Sequence, residues 1–269
     1  MIELIWVTIK ERKWPVIIYC AVSALLLILY VALYPSLQPQ TQQLIEVFKT
    51  MPEGLMKALG TSPDQLTNFT LEGLLASKQF GFVWQLLAAI LAITIAGNDL
   101  AAEVEKGTIE YLLSQPISRL KLYFARYVSG TILLTIFAAI STLLVIPIAM
   151  VFNVDYAAEI YYKLFFVAWL YSLATYSIAY FLSAAFSSKG TVYGISAGII
   201  TVMYIAFLFS ALKESLDWLK YASFFHYFSA DILYSGKIDK LGALIFVLTI
   251  IIFLTLGAVV FKQKDITVS

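Results

Sequence analysis

The sequence predicts an all-α, polytopic membrane protein with six transmembrane helices, and three observations support this fold class. Of the 269 residues, 61% are hydrophobic and 13% are charged, whereas soluble domains carry about 45–50% apolar and about 25% charged residues. Six segments approach or exceed the ~20 apolar residues that a helix needs to cross a bilayer. The 5 tryptophans and 17 tyrosines suit a chain with many membrane–water interfaces. Most soluble enzyme classes are therefore excluded.

The six predicted spans belong to one transmembrane domain that covers residues 1–269. They are residues 16–34, 80–97, 122–152, 164–186, 193–212 and 241–261. Pro147 should kink the third span near its far end, because proline lacks the amide proton that a helix interior needs. Residues 187–190 are the only polar break between the fourth and fifth spans, so these two helices are expected to form a hairpin.

The first 14 residues are predicted to form a separate interfacial helix that lies on the membrane surface. One helical face carries apolar residues at the spacing i, i+3, i+4, i+7, namely Ile2, Ile5, Trp6 and Ile9. Three basic residues follow, and Pro15 is expected to change the direction of the chain. The alternative is that the first span simply begins before Pro15.

The distribution of lysine and arginine predicts that both termini are cytoplasmic. With the N-terminus inside, about ten of the 18 basic residues fall on the cytoplasmic side. Residues 35–79 and 213–240 are then outer segments, and residues 98–119 form a cytoplasmic loop. The second outer segment is crowded with aromatic residues, so it is expected to dip into the membrane interface.

Several kinds of site are disfavoured by the residues present. A net charge of +1 gives no basic field for nucleic acid. Cys20 is the only cysteine and His226 the only histidine, so no metal-ligand set is visible. The chain lacks the G-x-x-x-x-G-K-[ST] motif, so it is not expected to bind ATP itself or to be an enzyme. Gly194-x-Ser196-x-Gly198 matches a hydrolase motif, but its Gly-x-x-x-Gly spacing favours helix packing.

The cytoplasmic loop 98–119 is the most distinctive stretch of the sequence. Read as one helix, it places Glu103, Gly107, Glu110 and Ser114 on a single stripe, and Pro116 ends it. An acidic and apolar helix held between two spans is suited to docking into a groove of a soluble partner. A solvated connector with ordinary helix-forming residues explains the spacing equally well.

The order of residues in this loop resembles permease subunits of ATP-binding-cassette transporters of the type-2, exporter-like class. The matching run is Glu103-x-x-x-Gly107-Thr108-Ile109-Glu110-x-Leu112-Leu113-Ser114-x-Pro116-Ile117-Ser118-Arg119. Ile109 departs conservatively from the leucine that is commoner in the family. The resemblance implies a coupling helix that docks to a partner through Glu103, Gly107, Thr108, Glu110, Leu113, Ser114, Pro116 and Arg119.

The same resemblance implies the partners and the cellular location. It implies a homodimeric, multi-pass permease in the plasma membrane, an exporter by class, whose separate ATPase subunits bind ATP and magnesium. No cofactor is expected in this chain. A secondary carrier or channel without an ATPase is the alternative, and a membrane enzyme built on Ser196 and His226 is a further one.

Polar residues inside two spans are candidates for a substrate path. Gln85 is the one strongly polar residue of the second span. One face of the fourth span carries Ser172, Thr175, Tyr176 and Ser183. A polar stripe inside a bilayer can line a path, although hydroxyl residues also mediate plain helix packing.

Overall fold

The computed structural model describes residues 2–49, 70–109, 117–212, 214–228 and 232–264. In these ranges the chain is helical and contains no strand. The longer helices are α1 (Ile2–Lys49), α3 (Val83–Gly97), α5 (Arg119–Leu143), α7 (Ala158–Ala185), α8 (Lys189–Leu212) and α11 (Lys240–Gln263). The shorter α-helices are α2 (Leu71–Leu75), α4 (Leu100–Glu105), α6 (Val145–Val151), α9 (Phe224–Tyr227) and α10 (Ile232–Ser235).

Six helical segments are long and apolar enough to cross a membrane, which confirms the predicted number of spans. They are Ile2–Gln38, Val83–Glu105, Arg119–Val151, Ala158–Ala185, Lys189–Ser210 and Lys240–Gln263. Each of them overlaps one predicted span. Local capping begins several helices: the side chains of Thr70, Ser118 and Asp239 accept hydrogen bonds from the first free amides of α2, α5 and α11.

The predicted break at Pro15 is wrong, because α1 runs through it without interruption. Proline removes one helical hydrogen bond, but tertiary contacts hold the first residues in line with the span. Arg126 Nη1 donates to Thr8 Oγ1 at 3.0 Å, and Ser129 Oγ donates to the Ile5 carbonyl at 3.4 Å. Residues 2–14 therefore continue the first span instead of forming a separate helix.

The predicted kink of the third span is confirmed as an interruption of the helix. α5 ends at Leu143, Leu144 forms a turn, and α6 begins at Val145. Pro147 lies four residues after Leu143 and has no amide proton to donate to that carbonyl. The proline explains why the regular helical hydrogen bonds are interrupted at this point.

The fourth span is the centre of the bundle. α7 contacts α3, α5, α8 and α11. In the most apolar 18-residue stretch of this span, 78% of the residues are buried, compared with 17% in the fifth span and 17% in the sixth. The spans at the periphery therefore present most of their apolar surface outward, as expected for helices whose solvent is lipid.

Aromatic residues close one end of this bundle, which we call the outer end after the orientation predicted from the sequence. A 3₁₀-helix (Glu214–Ala222), α9 and α10 lie there. Trp84 stacks on Phe228 with ring centroids 5.1 Å apart and donates to Ser141 Oγ at 2.7 Å. Phe224, Phe225, Tyr227 and Phe228 are buried within the protein. Part of the aromatic segment that was expected at the membrane interface thus belongs to the protein core.

Candidate functional site: the loop end

The opposite end of the bundle, which we call the loop end, gathers the first residues of α1, the loop 98–119, the turn between α7 and α8, and Lys264. Contacts between these segments establish the grouping: Arg12 pairs with Asp99, the Lys189 amide donates to Glu105, and Arg119 donates to the Lys264 carbonyl. Any two of these segments are separated along the chain by an even number of spans. They can therefore lie on the same side of a membrane.

The loop 98–119 begins as a short helix and then turns. α4 ends at Glu105, the amide of the next residue, Lys106, donates to the Ala102 carbonyl, and Gly107 follows with φ +72°. A left-handed residue just after a helix is the usual position of a terminating glycine. The predicted single helical stripe from Glu103 to Ser114 is therefore wrong, because an α-helix cannot continue through a positive φ.

Four of the eight predicted docking residues can be placed. Glu103, Gly107, Thr108 and Arg119 are described, whereas Glu110, Leu113, Ser114 and Pro116 lie outside the described residues. Glu103 is turned toward the protein: its carboxylate accepts from Arg126 Nη2 at 3.1 Å and from the Thr108 hydroxyl. The Glu103 side chain is only 19% exposed, and Arg126 is 5% exposed, so the pair ties α4 to α5.

A buried ion pair joins the start of the loop to the first and fourth spans. The Asp99 carboxylate is 1% exposed and pairs with the Arg12 guanidinium. The Tyr176 hydroxyl donates to Asp99 Oδ2 at 2.9 Å, and Arg12 Nη1 also donates to the Ile95 carbonyl at 3.1 Å. Burying a charge is costly unless it is paired and hydrogen-bonded, and each of these groups has such a partner.

Gly130 makes room for this arrangement. A Cβ atom at position 130 would lie 2.2 Å from the Tyr176 hydroxyl oxygen. Only a residue without a side chain lets α5 approach α7 this closely. The glycine therefore positions the hydroxyl that reaches Asp99.

The far end of the loop is tied to the chain terminus. Ser118 Oγ accepts from the Lys121 amide at 3.3 Å and begins α5. Arg119 Nη1 donates to the Lys264 carbonyl at 2.6 Å, and Lys264 Nζ donates to the Phe186 carbonyl at 2.8 Å. Burial lowers the pKa of the Lys264 ammonium below its ordinary value, because desolvation disfavours the charged form.

Two further contacts tie α4 to the turn between α7 and α8. Glu105 Oε2 accepts from the Lys189 amide at 2.7 Å, so its carboxylate caps the first turn of α8. Ser183 Oγ accepts from the Ala101 amide at 3.0 Å. Through these bonds the described part of the loop is attached to α1, α5, α7, α8 and the chain end. A displacement of the loop would act on several spans together.

The predicted substrate-path residues all lie in the interior of the bundle. Gln85, Ser172, Thr175, Tyr176 and Ser183 are each at most 2% exposed. Gln85 Nε2 donates to the Phe228 carbonyl at 3.2 Å, and Ser172 Oγ donates to the Ala168 carbonyl at 2.8 Å. Ser183 and Tyr176 bind loop residues, as described above. The structure thus places them on helix contacts of one subunit, and the path assignment stays a prediction.

Ser196 and His226 lie far apart. Ser196 is buried in α8, two helical turns before Tyr204, whose ring packs on Phe225 with centroids 5.2 Å apart. Two turns of helix span roughly 11 Å. His226 instead packs edge-on against Tyr221 at the outer end. This geometry gives no support to a serine nucleophile activated by that histidine.

Sequence reasoning missed the importance of Arg12, Asp99 and Arg126. It counted the two arginines only toward the distribution of basic residues, and it gave Asp99 no role in the loop. One signal was available, since Arg126 lies inside the predicted third span 122–152, and an ionised residue in a span calls for a partner. The identity of that partner depends on which helices pack together.

A comparison with protein-family models gives a match over most of the chain. The family model described as "ABC-2 family transporter protein" matches residues 10–266. A search of the curated proteins finds no match.

Proposed function

Because the chain belongs to the ABC-2 family of transporter proteins, we propose that two copies form the substrate path of an ATP-driven exporter. Family membership and six apolar helices make the chain a multi-pass membrane permease, consistent with the plasma membrane. In the proposal, separate ATPase subunits bind ATP and magnesium and dock at the loop end. The single observation that supports this coupling is the attachment of the loop to several spans.

The coupling follows from how the loop is held. Force applied to residues near Gly107 reaches α5 through Glu103 and Arg126. It reaches α1 and α7 through Asp99, which contacts Arg12 and Tyr176. Since packed helices shift as bodies and do not deform continuously, closure of the ATPase subunits would tilt these spans together. In this proposal Glu103 and Arg119 position the loop, and Glu110 with its neighbours contacts the ATPase.

Docking is tested by co-purification with candidate ABC ATPase subunits. We expect Glu110→Lys to reduce the ATPase recovered by about tenfold or more, because a reversed charge opposes docking. Asp217→Lys is the matched control, since Asp217 is 54% exposed at the outer end and should leave recovery unchanged. Failure of the ATPase to bind the unmodified chain, or equal binding by Glu110→Lys, would overturn the docking proposal.

Dimerisation through the fifth span is supported by its surface. A Cβ atom at Gly194 or Gly198 would meet no heavy atom within 4 Å, and only 17% of the apolar window of this span is buried. Small residues four apart let membrane helices approach closely. In a Cys20→Ala background, Gly198→Cys should form a disulfide-linked dimer on oxidation. The exposed Ile18→Cys should not, and equal cross-linking at both positions would exclude this interface.

The proposed substrate path requires spans two and four to separate, because its side chains are buried in the conformation observed here. Ser172→Cys should react with a membrane-impermeant thiol reagent at least several-fold faster during ATP turnover than at rest. Ala168→Cys, one turn away on the same helix face, should show the same ATP-dependent increase. No ATP-dependent change at either site would remove this path.

Export itself is tested with the assembled complex in inside-out vesicles. Lipophilic dyes and labelled lipids serve as trial cargo, since the fold does not specify the substrate. An exporter accumulates cargo inside such vesicles only when ATP is added outside. Accumulation that needs an ion gradient and no ATPase would favour the secondary carrier instead.

A further inference from the structure

A cleft of about 550 Å³ lies at the loop end, between the start of α1 and residues 94–108 of α3 and α4. This volume falls within the roughly 300–1,000 Å³ of small-molecule sites. Its walls combine apolar residues, among them Leu4, Val7 and Ile95, with charged residues of both signs. A cleft of mixed character is suited to a ligand that carries both an apolar part and separated charges.

The floor of the cleft holds a guanidinium that does not use all of its five N–H donors within the described residues. Arg126 lines the cleft and is 4% exposed. Its Nη atoms donate to Thr8 and Glu103, but its Nε atom has no hydrogen-bond partner among the described residues. Buried polar groups nearly always have partners, and guanidinium groups are preferred binders of phosphate. The Nε atom is itself buried, so a ligand would reach the guanidinium through the part of Arg126 that lines the cleft. A guanidinium with spare N–H groups at this position favours an anionic group in the cleft.

Two charged side chains at the rim extend this pattern. Lys106 lines the cleft, is exposed, and makes no ion pair within the part of the chain that the structure describes. Glu11 is 59% exposed, with its carboxylate 4.0 Å from Arg126. The rim thus offers one cation beside the Arg126 donor and one carboxylate facing solvent. These charges complement a zwitterion better than a simple anion.

Two tryptophans on α1 indicate the level of the membrane at which the cleft lies. Trp6 and Trp14 are 58% and 63% exposed, and lysine ammonium groups lie over both rings. Tryptophan is enriched at the level of the lipid headgroups. The cleft-lining residues Glu11 and Arg12 lie between these two tryptophans on the same helix, so the cleft opens at headgroup level.

We propose that this cleft binds the headgroup of a zwitterionic phospholipid whose cation is a primary ammonium. Its phosphate accepts hydrogen bonds from the Arg126 guanidinium and from Lys106, and its ammonium pairs with Glu11. The acyl chains follow the exposed apolar residues Ile17 and Ile18 further along α1. The chemistry recognised is a phosphate ester, which a soluble phosphate also carries. The bound lipid would join α1 to α4, and the inference does not depend on an ATPase partner.

Native mass spectrometry of the delipidated full chain in detergent tests this site. The probes are phosphatidylethanolamine, phosphatidylcholine, phosphatidylglycerol, soluble glycerophosphoethanolamine and inorganic phosphate at equal concentrations. We expect phosphatidylethanolamine to bind at least fivefold more tightly than the other two lipids. Lys106→Gln and Glu11→Gln should each weaken its binding about tenfold. Lys10→Gln is the matched control, because Lys10 lies over Trp6 and does not line the cleft.

Each other outcome overturns part or all of the proposal. If glycerophosphoethanolamine or inorganic phosphate binds as tightly as the lipid, the ligand is a soluble phosphate. Equal affinity for the three lipids would remove the role of Glu11. A loss of binding in Lys10→Gln as large as that in Lys106→Gln would indicate general surface attraction in place of a site. Melting curves of all three variants confirm that each is folded.

Discussion

Removing Arg12 should leave the buried carboxylate of Asp99 without its charged partner. The contacts of the pair determine how much stability is lost. Asp99 is 1% exposed and Arg12 is 11% exposed, so water can replace little of their interaction. Breaking a buried ion pair by deleting one partner costs about 3–5 kcal/mol. Arg12→Leu also loses the donor to the Ile95 carbonyl at 3.1 Å. We therefore expect its free energy of unfolding to fall by at least about 3 kcal/mol.

The double variant distinguishes this reasoning from a simple loss of packing. Arg12→Leu combined with Asp99→Leu removes both charges, and buried pairs replaced by apolar residues are often neutral or stabilising. The double variant should therefore recover most of the stability lost by Arg12→Leu. The Tyr176 hydroxyl, which donates to Asp99, then lacks an acceptor, and this limits the recovery.

The free energy of unfolding is measured for the unmodified chain, the two single variants and the double variant. The assay is reversible unfolding in mixed micelles, followed by tryptophan fluorescence. Lys13→Leu, on an exposed position of the same helix, serves as the control and should change stability by less than about 0.5 kcal/mol. Additive effects of the two single substitutions would refute the reasoning, since additivity means that the residues do not interact. A loss below about 1 kcal/mol for Arg12→Leu would refute it as well.

Three further substitutions test the attachment of the loop. Gly107→Ala places a side chain at φ +72° and should destabilise the chain by about 1–2 kcal/mol, measured by thermal unfolding. Gly130→Ala, whose Cβ would lie 2.2 Å from the Tyr176 hydroxyl, should cost about 1–3 kcal/mol through overpacking, seen in the same assay. Glu105→Ala removes the cap from the Lys189 amide and should speed hydrogen exchange in the first turn of α8, at a cost of about 1 kcal/mol or less.

Matched controls make these three results interpretable. Gly190→Ala meets only the Ser188 hydroxyl at an ordinary 3.7 Å, so it should leave stability unchanged or slightly improved. Glu3→Ala removes an exposed carboxylate from the first turn of α1 and should not affect exchange in α8. Alanine is the better helix former, so a loss in Gly190→Ala equal to that in Gly130→Ala would show that the contact with Tyr176 does not explain the effect.

The sequence alone determined the membrane-spanning architecture and the position of the loop. Apolar length along the chain is a local property, so six spans could be read from composition and segment length. The interruption before Pro147 was equally local, since it depends on one missing donor. The family resemblance of the loop could be recognised because the matching residues are contiguous.

Only the tertiary structure decided what the loop is attached to. Glu105 and Lys189 are 84 residues apart, and Arg119 and Lys264 are 145 apart, so no local pattern predicts that they meet. The same holds for the first helix: propensity predicted a break at Pro15, but contacts with α5 keep α1 continuous. Helix packing selects which charges become neighbours, and a buried charge persists only beside its partner. The chain therefore encodes its spans locally, whereas the link between loop and spans exists only in the folded bundle.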